Sequence, residues 1–354
     1  MAAISSTPNP PNEEEGREER EMNIYLENGY LDIGAILGKG LPWNFVIGGR
    51  GIGKTYGALK YVIENKIKFA LLRRTQAQAD IIGNVTLSPF MPVARDMGMD
   101  YDVRSIVKAC KGIYFDGAET PAGYILALST ISNMRGFDAS DVKVLIYDEF
   151  IPERHERIFH GELPALLNAY ETINRNRELK GEQPLQVLAL ANSNRLDNSI
   201  FTGLDLVKRV SAIRAKNREC YVDQTRGIAV YDIRRSPISA AKKDTALYKL
   251  GDETYNQMAL ANDYDFDDGN IRVCPLAEYR PMCSIAGITA YKHKSRAEYY
   301  VAGKSIGAPI LYGKSDAEKL RWRRNFNWMW VEHIYGRVYF DSSTTKIKFV
   351  QLFC

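Results

Sequence analysis

A run of eight residues, Gly48-Gly49-Arg50-Gly51-Ile52-Gly53-Lys54-Thr55, fits the spacing G-x-x-x-x-G-K-[ST] without a mismatch. Each residue type in it has a task. Glycines let backbone N–H groups close around a phosphate, and a helix starting just behind adds the positive end of its dipole. Lys54 supplies a cation for the β and γ phosphates, and the Thr55 hydroxyl is a hard oxygen for Mg²⁺. The second group is Asp148-Glu149, which closes the apolar run "VLIY". A carboxylate at the end of a buried strand holds a Mg²⁺ shell, as a Walker B Asp does, and Glu149 beside it is placed to polarise a water for attack on a γ-phosphate. The chemistry implied is binding and hydrolysis of a nucleoside triphosphate. No N-K-x-D guanine motif is present, which favours ATP.

Other polar residues stand where they can complete such a site. Asn192 ends the apolar run "LQVLALAN", level with the carboxylates, where an amide either bonds the attacking water or simply satisfies a strand end. Arg135, in "SNMRGFD", precedes Asp148 in a loop entering the same strand. Arg175 and Arg177 follow a helical stripe of Leu163, Leu166, Leu167, Tyr170 and Ile173. A cation supplied by a neighbouring subunit can be worth about 10³–10⁵ in rate. Favourable placement against the helix dipole explains Arg175 and Arg177 equally well. Arg73-Arg74 close "FALLRR", either as phosphate sensors or as a solvated strand end.

These side chains need a scaffold of parallel strands. Trp43 to Ile47 reads as a buried strand feeding the glycine loop, and Thr55 to Glu64 as a helix with Leu59, Val62 and Ile63 on one face. Val144–Tyr147 and Leu185–Asn194 are the next strands. Beyond them, Ile200–Lys216 and Ser236–Ala261 have helical spacing, and "CYVDQT" and "GIAVYDI" read as strands. From Ile271 onward, including the closing "GRVYFDSSTTKIKFVQLF", apolar and polar residues alternate as in strands.

Composition narrows the class. The 354 residues are 45% hydrophobic and 25% charged, ordinary for a globular chain long enough for two domains. No apolar run approaches a membrane span, and residues 1–24, Pro-rich and then acidic, read as a flexible tail. The five cysteines form no CxxC pair, which suits a reducing cytoplasm. The formal charge of +4 is concentrated in the second half, where a polyanion would lie. There, Arg321, Arg323 and Arg324 interleave with Trp322, Phe326, Trp328 and Trp330. That pattern suits phosphates plus stacked bases, or an amphipathic core helix with a basic outer face.

The order of parts resembles a family. "GGRGIGKT", "FALLRR", "MRGFD", "VLIYDEF" and "LALANSN" follow one another as in the large terminases and packaging ATPases of tailed phages. The longer strings "NFVIGGRGIGKTY", "IYDEFI", "PALLNAYETINRNRE" and "GRVYF" are similar to the genome-packaging ATPases of small short-tailed phages with protein-primed genomes. The resemblance is dense from about Leu41 to Asn194 and thin afterwards.

It implies an additional-strand (ASCE) P-loop ATPase domain at 25–198, α/β with a mainly parallel sheet flanked by helices. A linker or small helical region at 199–243 follows, then a smaller α+β, degenerate RNase H-like nucleic-acid-binding domain at 244–354. By motif position, Arg175 matches the family's proposed arginine finger, Arg135 matches a basic residue offered in trans to the neighbouring site, and Arg154 matches a further basic position of the family. The chain departs from the family at Pro152, where a basic residue is usual. The activity implied is ATP-driven translocation of double-stranded DNA into a procapsid. A homo-oligomeric ring, expected to be pentameric, would do this in the host cytoplasm, docked on the portal, with a packaging RNA in some members.

Two alternatives remain at this level: a terminase whose second domain still cuts DNA, and another P-loop ATPase or small-molecule kinase. A nuclease needs converging carboxylates. Asp232 is a candidate, whereas the acids of "ANDYDFDDGN" have loop-like spacing, so nuclease activity is not expected. The division of labour in the nucleotide motifs predicts that Glu149→Gln keeps nucleotide affinity and abolishes turnover, while Lys54→Ala weakens binding itself. Equilibrium binding and phosphate release on both variants check this.

Overall fold

The computed structural model describes residues 24–134, 138–152, 161–192, 196, 198–216, 218–234, 236–242, 245–250, 270–303, 307 and 310–353. Among them, nine strands form one sheet: β1 (Trp43–Gly48), β2 (Phe69–Arg73), β3 (Tyr101–Val107), β4 (Cys110–Phe115), β5 (Gly123–Ala127), β6 (Val144–Asp148), β7 (Gln186–Ala191), β8 (Cys220–Asp223) and β9 (Ile228–Ile233). Their order is β3-β4-β5-β2-β6-β7-β1-β9-β8. The run from β5 to β9 is parallel throughout, and β3, β4 and β8 make the antiparallel edges.

Because the inner strands are covered on both faces, their sequences are almost continuously apolar. Phe45 and Ile47 face one core, and Val46 the other. The second core is closed by α1 (Ile33–Leu37), α2 (Lys54–Glu64), α3 (Gln76–Ile82) and α4 (Phe90–Met97). The first is closed by α5 (Glu162–Asn174), α6 (Ser199–Gly203) and α7 (Val207–Ala215). The result is three layers, with every parallel strand ending at the same edge. Between the strand that feeds the glycine loop and the strand that ends in Asp148 lies one further strand, β7.

The sheet does not stop at residue 198. The stretch expected as a linker, 199–243, supplies α6, α7, β8, β9 and α8 (Pro237–Lys242), and β9 pairs directly with β1, Gly48 opposite Ile233. Ile200–Lys216 is two helices rather than one, broken at Asp205, whose φ is +52°. Asp232, the candidate nuclease carboxylate, is fully buried in β9, where both its oxygens accept from Arg214, at 2.7 and 2.8 Å. It is an internal ion pair of the main sheet, not part of the second unit. A short helix, α9 (Ala246–Leu250), follows α8.

The second unit is a four-stranded sheet, β10 (Tyr279–Ile285), β11 (Ile288–His293), β12 (Tyr299–Ala302) and β13 (Val338–Phe340), paired in that order. β10 to β12 form an antiparallel meander, and β13 joins β12 in parallel after α10 (Asp316–Phe326) and α11 (Trp328–Ile334). This is the smaller α+β unit expected from the resemblance.

The last segment differs from expectation. Ser343–Gln351 is a helix, α12, opened by the Ser342 side chain on the Thr345 amide. Its alternation of apolar and polar residues suggested a strand, but burial of Thr345, Phe349 and Val350 follows the helical period. The basic-aromatic stretch divides by depth. Trp322 and Phe326 stack in the core, with ring centroids 5.6 Å apart, and Arg323 Nε donates to the Leu352 carbonyl at 2.7 Å. Only Arg321 and Arg324 of the three arginines lie exposed. No helix among the described residues is long and apolar enough to cross a membrane.

Removing one partner of a buried ion pair leaves a charge without compensation, which typically costs about 3–5 kcal/mol. Arg234 Nε, 3.6 Å from the same carboxylate, offsets part of that cost. Arg214→Met should still lower the denaturation midpoint, and Arg214→Met with Asp232→Leu should recover most of the loss. Urea unfolding of the two variants checks the sign and the recovery.

Candidate nucleotide-binding site

The glycine loop joins β1 to α2 at the carboxyl edge of the parallel strands. Two glycines are required by geometry: Gly51 and Gly53 have φ of +72° and +90°, a region costly for any residue with a Cβ. Gly53 is the N-cap of α2, so the first turn of that helix points its amides back into the loop. Lys54 lies folded under the loop, its Nζ donating to the Gly48 and Gly49 carbonyls at 2.7 Å each. Burial pushes its ammonium down from the ordinary 10.5 to about 7. Asp148 opposes this, while Lys242 and Arg50 add to it.

Asp148 and Glu149 meet this loop from β6. The Thr55 hydroxyl donates to Asp148 Oδ1 at 2.9 Å. On the other side, Arg73, from the end of β2, lies 3.1 Å from Asp148 Oδ2 and 2.5 Å from Glu149 Oε2. Arg73 is thus no solvated strand end. Glu149 itself has φ +57°, a left-handed conformation that costs a non-glycine residue about 1–3 kcal/mol and is typically kept at working sites. The sequence offered no sign of that backbone. Arg74 turns the other way, into the core, where its guanidinium pairs with Glu162 at the start of α5, and Ser199 Oγ donates to the same carboxylate at 2.7 Å.

The remaining expected residues scatter. Asn192 follows β7 directly; with Ala191 opposite Ile47, its backbone is level with Gly48. Arg175 caps α5 with φ +47° and lies 3.2 Å from Asp138 Oδ1. Arg177 is buried, donating to the Ser140 and Val142 carbonyls at 2.7 and 2.6 Å. That is a structural tie to the segment leading into β6. Both arginines therefore sit at the start of β6, the end away from Asp148. Arg135 and Arg154 lie outside the described residues, as do Asn194 and the acids of 251–269. Lys242, which belongs to no motif, reaches the loop from α8: its Nζ donates to the Arg50 and Gly51 carbonyls at 2.9 and 2.7 Å.

A glycine-rich loop from β1 and acids on β6, separated by one inserted strand, define the additional-strand class of P-loop folds. Within it, residues 28–273 match the family described as Podovirus DNA encapsidation protein (Gp16), and the chain belongs to that family. The DNA packaging proteins of Bacillus phages PZA and phi29 are each 29% identical over 228 residues, 62% of this chain and 61% of theirs. That of phage B103 is 28% identical over 227 residues. The matches span about three fifths of the length of these relatives. In fold, the chain is similar to a solved chain of the bacteriophage Phi-29 genome packaging motor assembly. The TM-score is 0.58 at 18% identity, over 92% of this chain and 98% of that one. It is also similar to the Phi-28 gp11 DNA packaging motor, with a TM-score of 0.56 at 18% identity, over 87% and 93%.

The depressed Lys54 gives a proton-linked expectation. Between about pH 7 and 10.5 the unfolded chain holds a proton that the native lysine has lost, so this group's contribution to stability rises with pH across that window. An anionic ligand beside Lys54 returns the proton, so its affinity falls as pH rises above 7. Titration calorimetry with Mg-ATP at pH 8 in buffers of different ionisation heat should show uptake of about one proton, fading at pH 6. Heats independent of buffer at pH 8 would remove the coupling.

Proposed function

We propose that the chain is the ATPase subunit of a viral genome-packaging motor, hydrolysing ATP to drive double-stranded DNA into a procapsid. The observation that carries the reading is the 2.9 Å contact between Thr55 and Asp148, which brings the two nucleotide motifs onto one spot in a chain of this family. Lys54 and the amides of Gly49 to Thr55 hold the phosphates. The Thr55 hydroxyl and Asp148 carboxylate are a pair of hard oxygens beside the loop, the donor set that fits Mg²⁺. When bound, Mg²⁺ supplies charge neutralisation at the β and γ phosphates.

Glu149 orients the attacking water and accepts its proton. A carboxylate paired with an arginine is a poorer base, so the Arg73 contact must loosen for Glu149 to act. Asn192, beside the acids, bonds the water or the γ-phosphate. Arg175 lies at the far end of β6 from its own site, which favours action on the nucleotide of a neighbour in a homo-oligomeric ring, a pentamer by analogy with the family. Arg135 is proposed for the same interface. DNA, the portal and, where used, a packaging RNA are the partners of such a ring, working in the host cytoplasm. The exposed Arg321 and Arg324 offer a salt-sensitive backbone contact.

Phosphate release measured with and without duplex DNA tests the reading: turnover should rise with DNA and vanish in Glu149→Gln. Mixing Arg175→Ala with Glu149→Gln should restore part of the activity, since an interface pairing an intact acid with an intact arginine can then form. Turnover indifferent to DNA would count against the motor, and no rescue in demonstrated mixed rings against Arg175.

A further inference from the structure

The carbonyls of Gly48 to Gly51 receive two ammonium groups, not one. Lys54 takes the first two and Lys242 the second two, all four contacts between 2.7 and 2.9 Å. Lys242 comes from nearly two hundred residues along the chain, yet its approach is built into the fold. β9 is locked to β1 with Ile233 opposite Gly48. Ser236 then opens α8: its hydroxyl accepts from the Ser239 amide at 3.2 Å and bonds the Ser239 hydroxyl at 2.8 Å, and both serines are buried. Pro237 and Ile238 pack against Gly29, where a Cβ would come within 3.0 Å of Pro237. At the other end of this tethered turn, Lys242 Nζ lies so close to the loop that a Cβ on Gly51 would meet it at 1.9 Å.

The electrostatics favour an anion there. Neutral carbonyl dipoles are modest partners for two lysine amines on one short loop: burial disfavours the charged form of each, and Lys242 is among the charges that disfavour the protonated Lys54. A phosphate oxygen adds a full opposite charge to a bond whose donor is already ionised, so the ammonium gains by exchanging a neutral carbonyl for it. The ammonium sits on a flexible four-carbon stem, so it can turn from carbonyl to phosphate without moving α8.

We propose that Lys242 is a second phosphate-contacting ammonium of the nucleotide site, delivered by the segment that follows β9. The proposal rests on the reading of the glycine loop as a nucleotide site. It makes β9 and α8 part of the nucleotide's surroundings, alongside the loop and the acids of β6.

The test is Mg-ATP affinity in the full chain carrying Lys242→Met, which keeps the stem and removes the charge, and Lys242→Arg, which keeps the charge. Lys242→Met should weaken binding about tenfold, and Lys242→Arg should stay within about threefold of the parent. Unchanged or tighter binding by Lys242→Met overturns the proposal, as does an arginine variant no better than methionine. A parent chain that binds Mg-ATP no better than Lys54→Ala would sink the nucleotide-site reading itself, and this proposal with it. As a second measurement in the unsubstituted chain, Mg-ATP should slow reductive methylation of Lys242 severalfold while leaving exposed Lys208 unaffected. Methylation of Lys242 at the same rate with and without Mg-ATP would again overturn the assignment.

Discussion

The Asp148 carboxylate is the point on which this site converges. One oxygen accepts the Thr55 hydroxyl at the start of α2, and the other faces the Arg73 guanidinium at the end of β2. Two of these side chains end strands and the third opens the helix that follows β1, and the relative heights of the three strands are fixed by parallel pairing through β7. Tyr147 lies opposite both Leu72 and Ala189, and Ala189 lies opposite Phe45. A slip of one residue in any of these registers would turn Asp148 toward the wrong face and into a core. Burial of both sheet faces is what forbids the slip. Precision at the carboxyl edge is thus a by-product of two well-filled apolar layers below it.

Much of this was legible before the fold was known, and the reason is local. The glycine loop, its strand and its helix lie in one short stretch, so the motif and its support are read together. Asp148-Glu149 behind four apolar residues, and Asn192 behind five, likewise carry their strand with them. What was not legible depends on distant pairing. Nothing in "GIAVYDI" says that this strand pairs with β1, or that Asp232 will be closed off by Arg214. Nor does the sequence around Lys242 indicate the loop it reaches. The tryptophans of α10 and α11 look like a stacking surface until Trp322 is seen to be core, and Ser343–Gln351 looks like a strand until its cap is seen. Propensity and alternation are weak guides where tertiary burial decides.

The two arginines that close β2 illustrate how adjacent residues on a strand divide labour. Side chains alternate across a sheet, so Arg73 and Arg74 must leave on opposite sides. One is drawn to the acids at the site, and the other is taken into the core by Glu162. Each is satisfied by charge, yet only the first is near the chemistry.

That second pairing has a mechanical side. Glu162 is the first residue of α5, and Arg175 caps its other end; thirteen helical residues make a rod of about 20 Å. The rod is pinned at its near end to Arg74, directly after the arginine that grips Glu149, and at its far end by Arg177 to the segment that leads into β6. A helix cannot stretch, so a displacement of the β2 terminus would reach the far end of α5 as a tilt or slide. Arg175 rides on the end of that rod. The acid site at one end of β6 and the cation at the other thus hang on one stiff element.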